Sequence, residues 1–69
     1  MKFDVYGRFT LEVLRENDAW VAYNLGLGAR TREDEIVIPS SLGAEEIAEY
    51  LDDLFHELAS IGQTVRLLS

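Results

Sequence analysis

The stretch Ala44 to Ile61, AEEIAEYLDDLFHELASI, constrains the fold of this chain more than any other. Turned at about 100° per residue, it gathers Ile47, Leu51, Leu54, Leu58 and Ile61 within about 80° of one another. Tyr50 and Phe55 stand at the two borders, and Glu45, Glu49, Asp52, Asp53, His56 and Ser60 fall on the opposite side. A helix so divided must lay its apolar stripe on another layer, and the residues before it read as a sheet.

Residues 1–14 alternate throughout, with Met1, Phe3, Val5, Gly7, Phe9, Leu11 and Val13 on one side and Lys2, Asp4, Tyr6, Arg8, Thr10 and Glu12 on the other. Period two with one apolar face predicts a half-buried strand, with Gly7 as the place for a bend or bulge. Asn17 and Asp18 tolerate left-handed backbone and mark a turn. A second strand is expected from Trp20 to Leu27, with Val21, Tyr23, Leu25 and Leu27 inward. A three-residue loop, Glu16 to Asp18, would pair Val13 with Val21, Leu11 with Tyr23 and Phe9 with Leu25. It would also set Leu14 opposite Trp20 on the outer face, since register decides which side every residue takes.

Gly26 to Asp34 reads as a loop and Glu35 to Ile38 as a short third strand that Pro39 ends. Gly43 as N-cap sets Glu46 at N3, with Ser41 the competing cap, and Leu42 can staple onto Ile47. Gly62 suits the left-handed residue that stops the helix. Gln63 to Leu68 has the alternation for a short fourth strand, parallel to strand one in the order 3-2-1-4 if a right-handed crossover carries it there. The expected fold is α+β and two-layered: a three-stranded antiparallel meander with one helix on one face, β-β-β-α, residues 1–69 forming a single domain. The apolar residues expected to bury together are Phe9, Leu11, Tyr23, Leu51, Leu54 and Leu58.

Composition narrows the function. There is no cysteine and one histidine, which excludes disulfides, a cysteine nucleophile and multi-histidine zinc sites. Thirteen acids against six bases give a net charge of −7, which repels nucleic-acid phosphates and anionic lipid and suits a basic partner. No apolar run approaches the roughly 18 residues that a membrane span needs. The alternating start, MKFDVYG, is unlike the continuous apolar core of a signal peptide. The expected location is the cytoplasm, with neither nucleic acid nor membrane as partner.

Glu49, Asp53 and His56 stand at i, i+4 and i+7 of the helix, with Asp52 four residues before the histidine, a spacing compatible with a metal site or a metal-dependent activity. The same residues read as a solvated face, which offers a metal neither shelter nor supporting hydrogen bonds, and that reading is preferred. Asp52 and Asp53 diverge as helix neighbours, so they make no acid–base pair. Ser40-Ser41 has no base at a recognisable spacing. Gly26-x-Gly28 lacks the third glycine and the helix of a nucleotide site. No catalytic residue, cofactor or metal is therefore expected.

Two features point to protein contacts. Ala44 to Ile61 holds six acids and no lysine or arginine, so Glu49, Asp52 and Asp53 either keep the domain soluble or receive a basic partner. Leu14 and Trp20, with Ala22 diagonal to them, are apolar residues expected on the face away from the helix. They make either a self-association or partner surface, or a cross-strand pair that tightens the hairpin.

The stretches KFDVYGR (Lys2 to Arg8), IVIP (Ile36 to Pro39) and YLDDLFHELA (Tyr50 to Ala59) resemble a small family of uncharacterised bacterial proteins, a likeness that implies one compact domain and no functional residue. Trp20-Val21-Ala22-Tyr23 before an acidic amphipathic helix resembles the aromatic-alanine strand of HicB-like antitoxins, whose small N-terminal domains run β-β-β-α-β. That likeness implies a protein that binds and inhibits a partner. Asn24-Leu25-Gly26-Leu27-Gly28 departs from the antitoxins' proline-containing stretch ending in Gly-Cys, and the C-terminal DNA-binding segment of such proteins is not expected here. The reading is a small non-enzymatic binding or regulatory module that acts through protein contacts.

Overall fold

The computed structural model describes every residue except Leu27, Ser60 and Ile61. The expected places of these three, in strand two and at the end of the helix, lie outside the described residues. The fold is α+β, a five-stranded antiparallel sheet with one helix. The strands are β1 (Lys2–Val5), β2 (Phe9–Glu16), β3 (Ala19–Gly26), β4 (Ala29–Arg32) and β5 (Val65–Leu67), in the order β4-β3-β2-β1-β5. Helix α1 (Ile47–Phe55) lies between single 3-10 turns at Ala44–Glu46 and His56–Leu58.

The long first strand is two strands. Tyr6 and Gly7 take φ of 56° and 69°, the positive values that primed hairpin turns need, and the Arg8 amide donates to the Val5 carbonyl at 2.9 Å. Val5 pairs with Phe9, so three residues connect the strands and odd positions stay inward on both sides of the turn. This reversal also corrects strand four. β5 does form beside β1, but antiparallel to it, with Val65 opposite Val5 and Leu67 opposite Phe3.

The second hairpin turns on two residues rather than three. Asn17 and Asp18 both take left-handed φ, 51° and 62°, and Glu16 pairs with Ala19. A two-residue primed turn follows the right-handed strand twist, and the change of one residue moves all of β3 to the other face. Arg15, not Leu14, stands opposite Trp20, while Leu14 pairs with Val21 and Val13 with Ala22. Trp20 and Ala22 therefore belong to the helix-facing side, where Ala22 is buried. Tyr23 goes outward, donating its hydroxyl to Glu16 at 2.9 Å beneath the Arg30 guanidinium, 3.9 Å from its ring centroid. That outer face, which no helix covers, also carries ion pairs of Arg30 with Glu12 and Arg66 with Asp4.

β4 occupies part of the expected loop, and the expected third strand at Glu35 to Ile38 makes no ladder. Once β4 holds the edge of the sheet, the 33–43 segment crosses in front of it. Glu33 donates its amide to Ala22 O at 2.9 Å, Ile38 enters the core, and Val37 is left 71% exposed. The Trp20 indole donates to Leu42 O at 3.0 Å, Arg15 to Ser40 O at 2.9 Å, and the Tyr50 hydroxyl to Val37 O at 2.6 Å. These bonds tie the segment to sheet and helix.

Gly43 caps the helical stretch, as one of the two expected choices: its amide donates to the Glu46 carboxylate at 2.8 Å and its carbonyl accepts from the Glu46 amide at 3.0 Å. The helical stretch ends at Leu58, sooner than expected, with Ala59 already extended and Gly62 beyond it at φ 87°. Ile47 and Leu51 are fully buried among Phe3, Val5, Leu11 and Val13. Leu54 and Leu58 are not; they are 46% and 44% exposed. The Phe55 ring, at the border of the stripe, meets Phe9 edge-on at 5.5 Å between centroids. Of the expected core, Leu11 and Leu51 are buried, Phe9 packs partly against it, Tyr23 faces outward, and Leu54 and Leu58 stand at the surface.

Candidate functional site

A second contact anchors α1 to the sheet. Tyr6, expected on the solvent side of a strand, is 3% exposed, because the β1–β2 turn throws its ring under the helix. Its hydroxyl donates to the Asp52 carboxylate at 2.6 Å and approaches the Asp52 carbonyl at 3.0 Å. Burial pushes the phenol up to about 12, and the hydrogen bond to Asp52 and the charges of Asp52 and Asp53 add to the shift. At neutral pH this hydroxyl is a committed donor, neither a base nor a nucleophile.

Between the C-terminal half of α1, the sheet and the 33–36 segment lies a cleft of about 290 Å³. Phe9, Leu11, Ile36, Leu54 and Phe55 form its apolar lining, and Asn24, Glu33 and Glu35 its polar lining. Leu54 is thus half in the cleft and half in solvent. Neither glutamate forms an ion pair among the described residues, where Arg30, Arg32 and Arg66 pair with Glu12, Asp34 and Asp4.

The residues singled out from the sequence do not meet in one place. Glu49 and Asp53 are exposed beside a shallow hollow with Leu42, Glu46 and Tyr50, whereas Asp52 faces the sheet under the Tyr6 hydroxyl. The His56 ring turns back on its own helix, Nδ1 lying 2.9 Å from the Asp53 carbonyl. The α-helix gives way to a 3-10 turn at His56, and Asp52, four residues before it, is engaged with the Tyr6 hydroxyl. Among the described residues, no three histidine, aspartate or glutamate side chains come together to hold a metal ion. Leu14 stands on the outer face, and Trp20 and Ala22 on the inner one. No helix among the described residues is long and apolar enough to cross a membrane.

A family model described as a domain of unknown function, DUF7661, matches residues 1–69. The chain belongs to the DUF7661 family. No curated protein and no solved structure matches it. Within this DUF7661 domain, the cleft residues that sequence reasoning missed are Glu33, Glu35 and Ile36 as lining, and Leu54 as a surface residue. No local signal marks Leu54: on a helical wheel it falls inside the apolar stripe, and it stands at the surface because the open cleft lies beside it.

Proposed function

We propose that this DUF7661 domain is a small non-enzymatic binding module that acts through protein–protein contacts, in the cytoplasm of a bacterium. The observation that carries the reading is the half-exposed pair Leu54 and Leu58 on the helix flank, Leu54 beside an open apolar cleft. A domain of this size has little apolar surface to spare. Leaving two leucines of its main amphipathic helix in water is a cost that a partner removes. Antitoxin-like inhibition of a partner is one form such binding takes. Here the support is a fold analogy, since β2, β3 and β4 followed by α1 and β5 repeat the β-β-β-α-β order with β1 added.

Site-specific photo-crosslinking in cells tests the proposal. A photoreactive residue at Leu54 should give a discrete protein adduct, and one at Lys2, exposed on the other face, should not. The recombinant partner identified in this way should bind the native chain and fail to bind a folded Leu54→Ser, Leu58→Ser variant. Equal labelling from both positions, or unchanged binding by the variant, would remove the reading.

A further inference from the structure

Resting on that reading, we infer that the cleft takes one large apolar side chain of a partner protein, carried on a segment flanked by lysine or arginine. Size is the first argument. About 290 Å³ lies at or below the small end of pockets that enclose a metabolite or cofactor, and suits a single anchoring side chain. The lining is the second. Phe9, Ile36, Leu54 and Phe55 present carbon and aromatic surface, with no metal cluster and no cation among the lining residues.

Charge is the third and decides the flanks. Glu33 and Glu35 line the same cleft, and among the described residues no arginine forms an ion pair with either. Exposed Asp53 and Glu57 stand on the helix next to Leu54 and Leu58, and the whole chain carries −7. An acidic partner, or a second copy of this chain, would bring like charges together around the anchor. A basic segment neutralises them, and rim carboxylates of this kind speed encounter and discriminate between partners. Asn24, at the cleft wall, has an amide that can pair with the backbone of the bound segment.

The test uses two synthetic peptides with the same central leucine-phenylalanine pair, one flanked by lysines and the other by glutamates. Each is titrated into the intact isotope-labelled chain and followed by NMR. The lysine peptide should shift the signals of Phe9, Ile36, Leu54 and Phe55 and lose affinity as salt is raised. The glutamate peptide should leave them in place. Glu33→Gln with Glu35→Gln should weaken the lysine peptide by roughly three- to tenfold without moving the thermal midpoint downward. Equal binding of both peptides in the cleft would overturn the charged flanks while leaving the protein-binding reading intact. Shifts confined to the outer sheet face, or no binding of the lysine peptide, would overturn the assignment of the cleft itself.

Discussion

The Tyr6 hydroxyl and the Asp52 carboxylate meet at 2.6 Å, joining the β1–β2 turn to the helix across 46 residues of chain. The bond has two consequences. It keeps Tyr6 buried at a positive φ that a bulky residue rarely adopts, and it turns the Asp52 side chain toward the sheet.

Removing that hydroxyl tests the relationship directly. Tyr6→Phe keeps the ring and deletes a hydrogen bond to a carboxylate, so it should cost about 1–2 kcal/mol in urea denaturation. Asp52→Ala should cost a similar amount, and the double variant little more than either, giving a coupling energy of about 1 kcal/mol. Additive losses would mean that the two groups stabilise the fold independently.

The same bond sets an alkaline limit. The folded Tyr6 phenol titrates at about 12 against 10.0 for the free group, so the folded state holds its proton more tightly than the unfolded one. The stabilisation is complete below pH 10 and drains away as pH rises from 10 toward 12. Denaturation across that range should show the decline in the native chain and a smaller one in Tyr6→Phe. Tyrosinate absorbance of the native chain should show a late-ionising phase that Tyr6→Phe lacks.

Leu51 and Leu54 separate core from surface on one helix. Leu51→Ala empties a fully buried site and should cost about 2–5 kcal/mol. Leu54→Ala, at a residue 46% exposed, should cost about 1 kcal/mol. Equal losses would place Leu54 in the core, as the helical wheel alone suggests, and close the cleft.

Glu49 and Asp53 are exposed and repel their acidic neighbours, whereas Asp52 accepts a hydrogen bond. Glu49→Gln with Asp53→Asn should therefore hold or raise the thermal midpoint, measured by circular dichroism. Asp52→Ala should lower it. A drop in the first variant would assign those two carboxylates a structural role.

Trp20 reports on the β3 register. Its ring lies between the sheet and the 33–43 segment, with the Arg15 guanidinium 4.9 Å from the ring centroid and the indole N–H bonded to Leu42 O. Emission should be blue-shifted, independent of protein concentration and resistant to iodide quenching. A red-shifted, freely quenched indole would return Trp20 to the outer face.

Within a segment, periodicity belongs to the residues themselves. The helix over Ile47–Phe55, Gly43 as one of two candidate caps for the turn before it, the Asn17-Asp18 turn and a strand near Val65–Leu67 are all written there, because each depends on neighbours a few residues apart. What was not legible depends on parity and on distant contacts. A three-residue connection from Val5 to Phe9 keeps odd positions inward, so the alternation runs through Tyr6 and Gly7 without a mark of the reversal. A two-residue connection from Glu16 to Ala19 exchanges the faces of β3, and nothing before Trp20 dictates which of the two lengths forms. The cleft lay furthest from view. Ile47, Leu51, Leu54 and Leu58 share one stripe, and the sheet buries the first two while the cleft formed with the 33–36 segment leaves Leu54 half in water, a division set by contacts distant in the chain.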